Sequence, residues 1–158
     1  MGQKYVASGV GPGMNTTAAT AQNVILYNPA SATMVSAKVF EWSAGAHANS
    51  ADNMYTVTAL RTTTTGTFTN AITPRPLSVQ TGGTETACVS LFKNTSSAAA
   101  TTGSDIGRWG WHMRGGYRWV AIPGGELAVT LSFSAGMTWS TAFAQGSDQH
   151  DWSVWFDE

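Results

Sequence analysis

Charge is scarce in this chain: Lys, Arg, Asp and Glu make up 11% of its 158 residues, against roughly 25% in a typical soluble protein. The eight basic residues are scattered and the formal net charge is −1. No basic stripe follows a phosphate backbone, so nucleic acid is not an expected partner. Cys88 is the single cysteine, which rules out an intrachain disulfide. Within a strand-like segment it reads as a small buried hydrophobe rather than a nucleophile. Long hydrophobic runs are missing as well. None approaches the roughly 20 residues that cross a bilayer as a helix, and the first residues lack the charged-then-apolar order of a secretion signal. The expectation is a protein made and kept in a cytoplasm, with no membrane partner. There is no convincing helical period, and no segment repeats at a fixed interval.

What is abundant is small and hydroxylated. Ala, Thr, Gly and Ser together form about half of the chain. Two physical causes fit this composition. Strands favour Thr and disfavour Lys and Glu. Alternatively, much of the surface is covered in an assembly, because a monomer normally keeps soluble through exposed charge. The length suits one domain that buries its own core without metal or disulfide support.

Residues 1–22 carry four glycines and a proline with little apolar periodicity, which predicts an extended arm, and residues 23–158 then form a single β-sandwich domain. Within that domain, strands are expected at 23–28, 33–42, 54–61, 86–94, 108–113, 117–122, 126–135, 138–144 and 152–156, with a short edge strand at 67–69. Residues 43–53 and 95–105 read as loops. Pro74 and Pro76 exclude their segment from a central strand, because proline lacks the ladder donor. Nine or ten strands with turn signals between them make the expected fold all-β: an antiparallel β-sandwich, jelly-roll-like.

The segment 108–133 holds three of the seven tryptophans. Trp109, Trp111 and Met113 alternate with small or polar residues, Gly115-Gly116 follows, and 117–122 reads as the returning strand of a hairpin. In that register Arg114 pairs with Tyr117, His112 with Trp119 and Gly110 with Ala121. Trp109, Trp111 and Met113 then face the core with Arg118, Val120 and Ile122. The other face carries His112, Arg114, Tyr117 and Trp119: a stacking platform for a sugar or a partner side chain, or a second packed face. Pro123-Gly124-Gly125 reads as a second turn before the alternation of Leu127, Val129, Leu131 and Phe133.

Catalytic chemistry finds no pattern. Asp148, His150 and Asp151 are the one acid and imidazole cluster, and a single short loop does not supply the 6 to 8 oxygen ligands of calcium; the segment reads as a solvated turn. No Gly-x-Ser-x-Gly elbow is present. Glu41, Glu85, Asp105 and Glu126 are too far apart in sequence for a local carboxylate pair. Residues 9–13 are glycine-rich but lack the Lys and Ser/Thr of a phosphate loop. No enzyme, cofactor or metal is expected.

The order of segments resembles small β-sandwich virion proteins of tailed bacteriophages. It is carried by Val57-Thr58-Ala59-Leu60-Arg61-Thr62-Thr63, by Thr73-Pro74-Arg75-Pro76-Leu77, by Ile122-Pro123-Gly124-Gly125-Glu126-Leu127-Ala128-Val129 and by an acidic, aromatic C-terminus. The likeness is to the head-decoration or accessory type. It spans 24–158 in layout and rests on turn and strand patterns, so no site residue is transferred. It implies a non-enzymatic structural protein of the virion that decorates or stabilises a capsid through contacts with major capsid or other virion proteins, as a homo-oligomer such as a trimer. The alternative is a carbohydrate-binding sandwich of a tail or fibre, with a glycan as ligand. Candidate anchors for either are Trp42, Trp119, Trp139 and Trp155.

Overall fold

The computed structural model describes residues 4–10, 20–27, 35–48, 54–63, 70–77, 90–93, 102–131, 136–143 and 149–158. They form twelve strands: β1 (Lys4–Val10), β2 (Thr20–Tyr27), β3 (Val35–Ala48), β4 (Met54–Thr62), β5 (Asn70–Ile72), β6 (Arg75–Pro76), β7 (Ser90–Lys93), β8 (Thr102–His112), β9 (Tyr117–Val120), β10 (Leu127–Leu131), β11 (Gly136–Phe143) and β12 (Gln149–Asp157). Every pairing is antiparallel. The first sheet runs β10-β3-β12-β1-β6, with β9 also on β3, and the second runs β5-β7-β2-β11-β4-β8. The fold is an all-β sandwich, with a 3-10 turn and no α-helix among the described residues.

Alternation explains which side chains meet between the sheets. In β12, Trp152, Val154 and Phe156 are buried, and in β1, Tyr5 and Ala7 are buried while Lys4 and Ser8 are exposed. The second sheet contributes Leu26, Val57, Ala59, Trp111, Met137 and Trp139. Tyr5 stacks on Phe156 with ring centroids 5.6 Å apart. The indole N–H groups of Trp42, Trp139 and Trp152 meet no protein acceptor. These rings therefore stabilise by area and ring contact, against a desolvation cost of about 1–3 kcal/mol for each such donor.

Four expectations change. The segment 4–10 is no arm: β1 lies between β12 and β6 and pairs with β12 along all seven of its residues. Its apolar content is low because Ala7 and Gly9 fit a closely packed position, where Gly9 stands against Ile72. Residues 11–19 lie outside the described set. Next, β3 continues to Ala48 through residues expected to be a loop, since Ala44 packs inward as an ordinary strand residue does.

In β3, whose strict alternation over 33–42 would put Phe40 on the same face as Trp42, the period breaks at Phe40. Glu41 pairs with Trp155 and Val39 with Phe156, which leaves Phe40 as the extra residue of a β-bulge. The bulge resets the phase, so Ala37 and Val39 face the core before it and Trp42 and Ala44 after it. Phe40 lies on the outer face, its ring 5.3 Å from the Lys4 ammonium. Finally, β8 begins at Thr102 and β12 at Gln149, so both extend into segments expected to be loops. Arg75–Pro76 is a two-residue edge strand, where proline is tolerated. The expected strand at 67–69, Cys88 and Asp148 lie outside the described residues.

Candidate functional site

The tryptophan-rich segment is not a hairpin. β8 pairs with β4 in the second sheet, and β9 pairs with β3 in the first. Between them Met113–Gly115 forms a 3-10 turn, with the His112 Nδ1 accepting from the Arg114 N–H at 3.4 Å. Gly116 then takes φ 64° and ψ 177°, a conformation essentially confined to glycine. A side chain there would meet the Ala44 carbonyl at 3.3 Å. The link thus carries the chain from one sheet across to the other.

That crossover decides where each predicted residue goes. Trp109 and Trp111 point between the sheets, as their alternation implies. Tyr117 and Trp119 point there too, which corrects the expected outward face. Trp42 lies at the centre, with ring centroids 5.2 Å from Trp109, 6.3 Å from Trp111, 5.2 Å from Tyr117 and 5.7 Å from Trp152. Tyr117 stacks on Trp111 at 5.8 Å, and Trp119 lies 6.0 Å from Trp109. Trp42 and Trp139 are fully buried and so are core residues rather than surface anchors. His112 and Arg114 stay exposed at the crossover, apart from Tyr117 and Trp119.

The residues assigned to the core opposite Trp109 and Trp111 lie outside instead. Val120 is 53% exposed, Ile122 is 77% exposed, and the Arg118 side chain is exposed. The cause is pairing: β9 follows the phase of β3, so Val120 stands beside Glu41 and Arg118 beside Ser43 on the outward face.

Three cross-strand rows pave that outer face. One row runs Lys4, Asp157 and Lys38. The next runs Arg75, Val6, Trp155, Glu41 and Val120. The third runs Ser8, Ser153, Ser43 and Arg118, with Ser8 and Ser153 hydrogen-bonded at 2.8 Å. Trp155 is half-buried between the inward Val154 and Phe156, so it is the predicted anchor that does lie on a surface. Arg118 Nε donates to Glu41 Oε1 at 2.6 Å, which raises the guanidinium pKa above its ordinary value through that hydrogen bond and the opposite charge.

β9 and β10 occupy successive stretches of the same edge of β3, from Ala44 to Val35, and run in one direction. Residues 121–126 are an excursion between them, opposite the Phe40 bulge, and Ala121 N–H donates to the Phe40 carbonyl at 2.8 Å. Gly125 N–H donates to the Ile122 carbonyl at 2.8 Å, and Gly124 has φ 83°. With Pro123 before it, this is a type II turn. The Glu126 carboxylate accepts from Gly124 N–H at 3.1 Å. Hydrogen bonds from the backbone of Glu126 and Gly124, with a smaller contribution from Lys38, hold its pKa below the ordinary carboxylate value. Ile122 is thereby presented on a fixed turn.

Beside the crossover is an open cleft of about 420 Å³ lined by Ser43, Ala44, Gly45, Gly115, Gly116, Tyr117, Arg118, Asp151 and Ser153. Among the described residues no three His, Cys, Asp or Glu side chains gather as a metal site. Comparison with protein-family models, with curated proteins and with solved structures returned no match.

Proposed function

We propose that this chain is a non-enzymatic structural subunit of a virion, of the head-decoration type, and that it associates with its own copies and with shell subunits through the outer face of the first sheet. The observation that carries the reading is the exposure of Val120 and Ile122 on the sheet side that also carries the half-buried Trp155, with the Glu41–Arg118 ion pair between them. Exposed aliphatic and aromatic side chains of this kind are the usual anchors of an interface core. Lys4, Lys38, Arg75 and Asp157 lie toward its rim, where charge sets register and encounter rate more than affinity. The phage setting rests on the layout resemblance of 24–158.

The test is recovery of the chain from purified particles separated into heads and tails, read by mass spectrometry. Head-associated chain that is lost on Ile122→Asp supports the proposal. Absence from particles, or recovery unaltered by Ile122→Asp and Val120→Asp together, overturns it. Deleting residues 1–22 is no substitute, because it removes β1 from the middle of the first sheet and the start of β2.

A further inference from the structure

We infer that the cleft beside the Gly115-Gly116 crossover is a binding site for a neutral saccharide. The cleft shares the outer face of the first sheet with the proposed assembly surface, but Val120, Ile122 and Trp155 do not line it. At about 420 Å³ the cleft falls within the size range of small-ligand sites. It sits on the outer face of the first sheet, where β12, β3 and β9 run side by side and the 3-10 turn forms one wall.

Its lining is a set of mixed donors and acceptors. Ser43 and Ser153 each bring a hydroxyl that donates once and accepts twice, and the Ser8 hydrogen bond uses only part of Ser153's capacity. Arg118 brings donors from β9 and Asp151 brings acceptors from β12, on opposite sides of β3. Such a lining suits a ligand whose groups both donate and accept, which is the property of sugar hydroxyls. The electrostatics disfavour an anion, because Glu41 already holds the Arg118 guanidinium and Asp151 adds a second carboxylate.

Glycines create the space. A Cβ at Gly45 or at Gly115 would touch nothing within 4 Å, so both positions open onto the cleft, and neither has positive φ. Substitution there fills the cleft without forcing the backbone. Gly45 is a strand residue on the outward face, where valine suits the strand better than glycine. The fold is therefore expected to survive the substitution that closes the site.

The experiment is saturation-transfer NMR of the full chain with neutral monosaccharides (glucose, galactose, mannose, N-acetylglucosamine) and their disaccharides, and with inorganic phosphate titrated against the backbone amides. The expected result is saturation of at least one neutral sugar, with amide shifts at Gly45, Gly116 and Ser153. That signal is lost in Gly45→Val and in Gly115→Val, weakened in Ser43→Ala, and unchanged in Ile122→Asp. Sugar binding that disappears in Ile122→Asp but persists in both glycine variants overturns the site. So does the absence of any sugar signal, or amide shifts at these positions with phosphate alone.

Discussion

At Met113–Gly116 the chain leaves one sheet and enters the other, whereas at 121–126 it leaves the edge of β3 and returns to the same edge. Both links are built on a glycine pair, and both contain one glycine at positive φ, Gly116 or Gly124. The first is pressed against the Ala44 carbonyl and is flanked by inward aromatics. The second has open space around Gly124 and presents Ile122 to solvent. One link brings Trp109 and Trp111 of one sheet onto Tyr117 and Trp119 of the other, and the opposite one projects an apolar side chain outward. A glycine pair specifies a permitted backbone, and the neighbouring strands decide whether the turn serves the core or the surface.

Substitutions separate these roles, and the largest effect belongs to the core that the crossover completes. Trp42→Ala removes the ring that touches four other aromatics, and a loss of about 3–5 kcal/mol in denaturant unfolding is expected. A loss comparable to that of a surface residue would mean the aromatic cluster is not packed as described. Gly116→Ala follows, at about 1–3 kcal/mol, because the conformation is essentially glycine-only. Gly124→Ala is expected to cost less, about 1 kcal/mol, since only the left-handed backbone opposes it. If Gly124→Ala proves the costlier of the two, the contrast between a confined crossover and an exposed excursion fails.

Titration sharpens the same contrast at a smaller scale. The Glu126 carboxylate is held below its ordinary pKa in the folded chain by the turn's N–H groups. Its contribution to stability is therefore present above the unfolded-state pKa and is lost as pH falls through the folded one. Carbon-detected NMR should place Glu126 below a peptide carboxylate, and a value at or above it would show that the turn is not clamped. Smallest of all is Ile122→Ser, expected within about 0.5 kcal/mol of the parent, because the side chain is on the surface. Under the proposed assembly its effect is on association.

The fold class and most strands were legible from alternation, as at β4, where threonines alternate with Val57 and Ala59. Trp109 and Trp111 were assignable to the core for the same reason. The partner of each strand was not legible. Gly115-Gly116 between alternating segments suits a local hairpin, and only the long-range pairing of β9 with β3 places Tyr117 and Trp119 inward and Val120 outward. The Phe40 bulge was equally hidden, because an extra residue leaves no mark in composition and shifts the side chains that follow it, Trp42 and Ala44 among them, to the other face. A signal was available for the excursion: Ile-Pro-Gly-Gly is a type II turn sequence. A tight turn looks alike whether the chain reverses after it or continues along the same edge.

The proposed assembly surface on the outer face of the first sheet, with Val120, Trp155 and Ile122, stands apart from the inward cluster of Trp42, Trp109, Trp111, Tyr117 and Trp119. Sedimentation velocity on the full chain and on its Val120→Asp/Ile122→Asp variant tests it most directly. An oligomer is expected for the parent and a monomer for the variant, with the near-ultraviolet dichroism of the tryptophan cluster retained. A monomeric parent, or a variant that sediments as the same oligomer, would contradict it.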